Sequence, residues 1–335
     1  MTGSTRPSED ELIARWFRPL ATAAGALGLV DDCAAITPPP GHDLVLKTDA
    51  VASGVHFFAD DDWGLVAKKA LRVNLSDLAA KGARPLGHLL TLALPADWRE
   101  ADLARFAAGL DEDQTAWDCP LLGGDTIRSP DGLIVSITVF GAVPTGRMVR
   151  RAAARPGDAL FVSGSLGDAA LGLILRTDPD RAARWHLAPA ERDHLLGRYL
   201  LPRPRQPLAA AILAHAGASM DVSDGLGLDL ARMCGGSRVA AEVALADLPL
   251  SLAAARALAA EPDLIETIVG GGDDYEILAA IRPEAEAAFV AAAAGTGVPV
   301  TRIGRVVAAT DEPAPRFSTA DGRLHTFAGR GFRHF

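Results

Sequence analysis

Short apolar runs closed by acidic or glycine-containing segments recur along the chain. Leu44-Val45-Leu46 has the length and character of a buried strand, and the strand is expected to stop at Thr48-Asp49. The same arrangement returns at Val30-Asp31-Asp32, Asn74-Leu75-Ser76-Asp77, Gly123-Gly124-Asp125-Thr126, Asp221-Val222-Ser223-Asp224-Gly225 and Gly271-Gly272-Asp273-Asp274. Helical spacing of Leu12, Ile13, Trp16 and Phe17 predicts an amphipathic helix over Glu9 to Phe17, opened by a Ser8/Glu11 capping box. Trp63 to Arg72, Asp102 to Leu110 and Ala209 to Ala216 also read as helices. His88 to Leu94, the alternating Leu133 to Val143 and Ala159 to Val162 read as strands.

Punctuation divides this pattern. Pro38-Pro39-Pro40-Gly41 predicts a turn before the central strand, and Leu200 to Pro207 a rigid proline-rich connection. Val143-Pro144-Thr145-Gly146, the basic run Arg147 to Arg155 and Pro156-Gly157-Asp158 form a linker-like passage. With 335 residues the chain is long for one core. Two domains, 1–145 and 146–335, are expected. Ser163-Gly164-Ser165-Leu166-Gly167-Asp168 is a strand-to-helix turn able to hold an anion on backbone N–H groups, but it lacks the GxxxxGK[ST] order. The terminal aromatics Phe332 and Phe335 suggest a tail that packs.

Composition narrows the function classes. An apolar fraction of 49% with 22% charged residues describes a soluble globular protein. The net charge of −9 and the lack of a basic stripe argue against a nucleic-acid partner. Cys33, Cys119 and Cys234 form no CxxC pair, so neither a disulfide framework nor a zinc ribbon is expected. No apolar leader or membrane-length run is visible, which predicts a cytoplasmic protein with no membrane partner.

The acidic segments suggest chemistry. Magnesium takes carboxylate, carbonyl and water oxygens, and bridges one or two protein carboxylates to substrate phosphates. Single aspartates from separate segments therefore suit a multi-magnesium nucleotide site, and an arginine of the Arg147 to Arg155 run could add charge in the transition state. Plainer readings stand beside this one: Asp77 as a helix-surface carboxylate, Ser223 and Asp224 as helix caps, His56 as a structural histidine. Calcium is disfavoured because no segment has the EF-hand order. A metal phosphohydrolase is disfavoured because the histidines are not interleaved with the acidic segments.

Taken in order, Asp31-Asp32-Cys33-Ala34-Ala35, Thr48-Asp49 through Gly54-Val55-His56-Phe57, Asn74 to Ala80, Gly123 to Thr126, Asp221 to Leu226 and Gly271 to Glu276 resemble the thiamine-monophosphate kinases. These belong to the aminoimidazole-ribonucleotide-synthetase-like superfamily, and the similarity runs from about Glu9 to Phe335. The resemblance implies an α/β (α+β) chain of two domains. The N-terminal one binds ATP and magnesium and forms a β-barrel shared in a homodimer; the C-terminal α/β domain closes the active site. It implies transfer of the ATP γ-phosphoryl to thiamine monophosphate, giving thiamine diphosphate and ADP. Carried over by motif position, Asp32, Thr48, Asp49, Asp77, Asp125, Asp221 and Asp224 would hold several magnesium ions. Gly124, Asp125, Arg151 and Ser223 would contact the nucleotide, with Asp125 and Arg151 catalytic. His56, Asp273 and Phe332 would line the thiamine monophosphate pocket.

The sequence departs from that family pattern at Lys47, where serine or threonine is common, and at Ser53, where glutamate is frequent. Asp273 replaces glutamate, Phe332 a tryptophan or tyrosine, and Val30 a glycine. These changes touch substrate fit more than the ATP core. The alternatives are a superfamily enzyme acting on another acceptor, and a silent nucleotide binder, whose expected mark is the loss of the metal aspartates.

Overall fold

The computed structural model describes residues 7–310 and 312–327; Phe332 and the aromatic tail lie outside them. The chain forms two compact units, Met1–Leu75 with Arg84–Gly146, and Ser76–Ala83 with Arg147–Phe335.

The first unit contains α1 (Glu9–Leu12), β1 (His42–Ala52), α2 (Trp63–Ala80, whose last turn belongs to the second unit), β2 (Arg84–Leu94), α3 (Glu100–Ala116), β3 (Leu121–Arg128) and β4 (Ile134–Pro144). The Ser8/Glu11 capping box forms as expected, and the helix widens beyond Leu12 into a π turn over Ile13–Phe17. The sheet order is β1-β4-β2-β3, with β2 and β3 parallel and the other pairs antiparallel. Alternation gives this sheet two unlike faces. Val135, Ile137, Val139 and Val143 are buried, whereas Ser136, Thr138 and Phe140 on the opposite face are partly open. Helix α2 is buried on most sides, so its polar residues need partners. Lys69 donates to the His56 carbonyl at 2.8 Å, and Asn74 donates to the Ala70 carbonyl at 2.9 Å.

Two expected stops are instead strand interiors. Thr48 and Asp49 do not end β1, which continues through Ala52 because β4 offers Ile137, Ser136, Val135 and Ile134 in unbroken register. Gly123 to Thr126 is likewise no turn. It lies inside β3, paired with Leu89 to Leu92 of β2. A Cβ on Gly124 would lie 1.8 Å from the Leu90 carbonyl oxygen, so the glycine serves close backbone approach rather than chain reversal.

The second unit contains β5 (Ala159–Ser163), α4 (Asp168–Thr177), α5 (Arg181–Arg184), α6 (Pro189–Leu200), α7 (Ala209–His215), β6 (Ala216–Val222), α8 (Leu226–Ser237), β7 (Val239–Ala244), α9 (Leu252–Ala260), α10 (Leu264–Gly270), β8 (Glu276–Ile281), α11 (Glu286–Ala294), β9 (Val300–Ala308), β10 (Pro315–Ser318) and β11 (Leu324–His325). Its sheet runs β11-β10-β7-β9-β5-β8-β6, parallel only between β10 and β7. Both faces of its centre are covered, so β5 and β8 are buried at every position. Leu160, Val162, Leu278 and Ala280 join one apolar cluster, and Ala159, Phe161, Ile277 and Ala279 join another.

Candidate active site

In the first unit the open sheet face and the segment before β1 enclose a groove of about 670 Å³, a size suited to a small ligand. Phe17, Leu44 and Phe140 supply apolar wall; Asp31, Asp32, Thr91, Asp125 and Thr138 supply polar wall. The register explains the convergence. Ser136 stands opposite both Ala50 and Thr91, and Thr91 stands opposite Asp125, so these side chains form one row across the sheet. The approach to Asp32 is set by a tight loop. Leu27 and Leu29 take positive φ (50° and 53°), and a Cβ on Gly25 would lie 2.0 Å from the Ala35 carbonyl oxygen. The Asp31 carboxylate accepts from the Cys33 N–H at 3.3 Å, and both Asp31 and Asp32 are exposed.

Thr48 and Asp49 do not face the same way, because consecutive strand residues point to opposite faces. The Thr48 hydroxyl donates to the Ile137 carbonyl at 3.2 Å and accepts from the Thr138 hydroxyl at 3.0 Å. Asp49 lies on the other face, 3.1 Å from the Lys47 ammonium. Its N–H, on the outer edge of β1, donates to the Asn74 side-chain oxygen at 2.8 Å. His56 is half-buried, and its Nδ1 accepts from the Ala52 N–H at 3.1 Å, which places the neutral ring's proton on Nε2. Asp77 is a half-buried helix residue on α2.

In the second unit, Asp221 is buried at the end of β6, and Ser223, Asp224 and Gly225 turn into α8. Neither Ser223 nor Asp224 caps that helix by its side chain; Gly225, at φ 95°, occupies the cap position. The loop is shaped by Asp229 instead, whose fully buried carboxylate accepts from the Ser223 and Asp224 N–H groups at 2.9 Å each. Burial pushes the Asp229 carboxyl up, against the opposing pull of the Asp224 N–H and of Arg232. Arg232 also pairs with Asp224. Asp273 adopts φ 70° and donates its N–H to the Ser223 carbonyl at 2.8 Å, which joins two of the expected ligand-binding residues directly. The Arg151 side chain is exposed.

Among the described residues no group of three His, Cys, Asp or Glu side chains is arranged to hold a metal ion by itself. The candidate donors are hard oxygens on separate elements. Magnesium characteristically keeps several waters and completes its shell with substrate phosphate, so this donor set fits that mode of binding. Among the described residues, no helix is long and apolar enough to cross a membrane.

Models of the AIR synthase related protein match the chain twice, with the N-terminal domain at residues 30–143 and the C-terminal domain at 155–313. The thiamine-monophosphate kinase of Caulobacter vibrioides is 43% identical over 305 residues, spanning 90% of this chain and 84% of that protein. The chain belongs to the thiamine-monophosphate kinase family. The thiamine-monophosphate kinase structure from Stenotrophomonas maltophilia K279a superposes with a TM-score of 0.81 at 37% identity, covering 94% of this chain and 96% of that one. A structure of AaThiL complexed with AMPPCP and TMP gives 0.75 at 31% identity, covering 89% of each chain. The two-domain α/β (α+β) fold expected from the motifs is the fold of this kinase family.

Several organising residues of this kinase family member were not legible as such. Asn74 lies within a recognised motif, but its task of closing the β1 edge emerges only from the packing of α2. Asp229 had one available signal, an acidic residue in the first turn of a helix. The Ser163 to Asp168 turn points a backbone donor inward: the Gly167 N–H donates to the buried Asp274 carboxyl at 2.8 Å. Asp168 in the same turn accepts from the Ser165 hydroxyl at 2.6 Å, the Ser251 hydroxyl at 2.5 Å and His194 Nε2 at 2.8 Å. Burial pushes its carboxyl up, but those hydrogen bonds outweigh it and hold the group below its ordinary value.

Proposed function

We propose that this chain transfers the γ-phosphoryl group of ATP to thiamine monophosphate, giving thiamine diphosphate and ADP. The observation that carries the reading is the 43% identity with the Caulobacter vibrioides kinase across most of both chains. The AaThiL complex with AMPPCP and TMP supports the pair of ligands. An oxygen of the acceptor phosphate attacks the γ-phosphorus, the bond to the β,γ-bridging oxygen breaks, and ADP leaves. The acceptor phosphate is largely ionised near neutral pH, so the nucleophile needs no general base. Catalysis then rests on positioning and charge neutralisation.

Asp32, Thr48, Asp49, Asp77, Asp125, Asp221 and Asp224 are the proposed magnesium-holding residues; Thr48 and Asp49, on opposite sheet faces, would serve different ions. When bound, magnesium neutralises phosphate charge. Gly124, Asp125, Arg151 and Ser223 contact the nucleotide in this reading, and His56, Asp273 and Phe332 contact the thiamine phosphate. The groove supports the nucleotide assignment by bringing Gly124 and Asp125 beside Asp32. Asp125 and Arg151 act on the transferring group. In this reading residues 1–145 make up the ATP- and magnesium-binding domain, apart from Ser76–Ala83, which belongs with the second unit, and 146–335 make up the rest of the second domain. The exposed Leu44, Leu46 and Ile134 on one sheet face support a homodimer formed through that sheet. The expected setting is the cytoplasm.

One incubation of purified protein with ATP, magnesium and thiamine monophosphate, resolved by chromatography, tests the reading. Thiamine diphosphate with equal ADP, both absent without magnesium, is the expected result. ADP without the diphosphate would refute thiamine monophosphate as acceptor.

A further inference from the structure

The loop that carries Asp273 is built from opposites. Gly270-Gly271-Gly272 gives the backbone wide freedom, yet Asp273 and Tyr275 immediately after it are non-glycine residues held at φ 70° and 51°. Side chains of this kind persist in the left-handed region only where their surroundings over-determine them. Here the surroundings do. Asp273 and Tyr275 donate their N–H groups to the Ser223 and Val222 carbonyls, each at 2.8 Å. A Cβ on Gly272 would lie 2.4 Å from the Ser223 carbonyl oxygen, so the two backbones run in close contact. Between the two strained residues sits Asp274, fully buried, with its carboxyl on the Gly167 N–H.

A buried arginine fastens this arrangement. Arg198 of α6 is 2% exposed, and its Nη2 donates both to the Asp274 carbonyl at 2.8 Å and to Glu276 Oε1 at 2.9 Å. Glu276 is fully buried and is completed by Ser163 Oγ at 2.6 Å and Arg205 Nε at 2.6 Å. A buried ion network of this kind contributes little net stability compared with apolar packing, and fixing one conformation is the better-attested use of such a group. Of the two arginines on Glu276, Arg198 is the one that also holds the carbonyl between Asp273 and Tyr275.

We propose that Arg198 is a positioning residue for the acceptor substrate, clamping the glycine-rich loop so that Asp273 is presented in one fixed geometry beside Ser223. This inference rests on the proposed role of Asp273 in binding thiamine monophosphate. Arg198 touches neither substrate in it. Both bonds come from the one nitrogen Nη2; lysine at this position would keep the positive charge against Glu276, but its flexible stem lacks the rigid guanidinium plane that holds that nitrogen between the two acceptors.

The test compares wild-type protein, Arg198→Lys and Arg205→Lys by steady-state kinetics, direct nucleotide binding and amide hydrogen exchange of the segment 270–276. Arg198→Lys is expected to raise the KM for thiamine monophosphate about fivefold or more, since small misplacements of binding groups are costly. Its ATP affinity should stay within about twofold, and exchange in 270–276 should accelerate. Arg205→Lys, which reaches Glu276 but not the loop carbonyl, is expected to leave that KM within about twofold. Equal KM increases in the two variants, or unchanged KM and exchange in Arg198→Lys, would overturn the clamp. If Arg198→Lys does not fold, Arg198→Gln takes its place with the same criteria. Wild-type protein that makes no thiamine diphosphate refutes the reaction itself, and accelerated exchange in the variant then shows the clamp without the substrate assignment.

Discussion

Two adjacent glycines on β3 offer a controlled test of how that strand meets β2. A Cβ added to Gly124 would lie 1.8 Å from the Leu90 carbonyl oxygen and 2.8 Å from its carbonyl carbon. Non-bonded heavy atoms come to rest at roughly 3.5 Å, and both obstructing atoms are backbone, so no side chain can swing away. Leu90 is the register partner of Gly124, which means that relief of the overlap must disturb the parallel ladder itself. At Gly123 the nearest obstacle is a Leu89 side-chain methyl at 3.4 Å, an ordinary contact. Overpacking in a close-packed setting costs about 1–3 kcal/mol, and the upper end applies where backbone must move. Gly124→Ala should therefore lose about 3 kcal/mol, or roughly 6–12 °C in the melting of the first unit. Gly123→Ala should change stability by no more than about 1 kcal/mol, and toward stabilisation, because alanine restricts the unfolded chain. Differential scanning calorimetry of the two variants is the assay. Equal melting temperatures would refute the reasoning that close backbone approach selects glycine at 124.

Asp125→Asn should abolish phosphoryl transfer while leaving the melting temperature nearly unchanged, because Asp125 is exposed and such substitutions move stability by about 0.5 kcal/mol or less. Near-normal turnover by chromatographic assay would remove Asp125 from the reacting group. Arg72→Met strands the Asp113 carboxylate, 96% of whose side chain is shielded and which now receives bonds of 2.5 and 2.8 Å. Urea unfolding should show a loss of about 3–5 kcal/mol, largely restored by pairing the change with Asp113→Leu; no recovery in the double variant would argue against the stranded charge. Burial pushes the Asp274 carboxyl well above its ordinary value of 3.8. The unfolded chain thus releases this proton at lower pH than the folded one, so the stability that Asp274 contributes is complete below that value and declines as pH rises toward the folded pKa. The melting temperature of Asp274→Asn relative to wild type should accordingly climb with pH above about 4, and a pH-independent difference would refute the assignment.

Local signals carried the sequence reading furthest where one neighbour decides the structure. Ser8 and Glu11 form both bonds of their capping box, and the alternation of Leu133 to Val143 becomes β4 with one buried face. The reading failed where a distant partner overrides local chemistry. A hydroxyl followed by a carboxylate looks like a strand end, but the β4 register carries β1 through Thr48 and Asp49. Strand β6 was invisible because Ala216 to Met220 continues an alanine-rich helix and has weak strand propensity. Pairing of Ala218 with Ala280 and Ser219 with Ala279 supplies what propensity lacks. The candidate site shows the same division. The aspartates could be picked out by eye, whereas Arg198 and Asn74, which shape the backbone around them, act through partners distant in sequence, and Asp229 through a turn whose closure no local pattern announces.

The membership of Ser76–Ala83 in the second unit bears on how this protein can be cut. Ala79 and Ala80 belong to the same apolar cluster as Val149, Phe161 and Ile212, and a Cβ on Gly82 would lie 2.7 Å from Leu213 Cβ. Lys81 sends its ammonium to the Ser219 carbonyl at 2.8 Å and accepts the Val149 N–H at 3.3 Å. A fragment begun at Arg147 would therefore emerge with an open slot in its core and an unanswered carbonyl on β6. The last turn of α2 is, for that half of the molecule, a component delivered early by the ribosome and needed late. Independent expression of the C-terminal half calls for a graft that restores these eight residues.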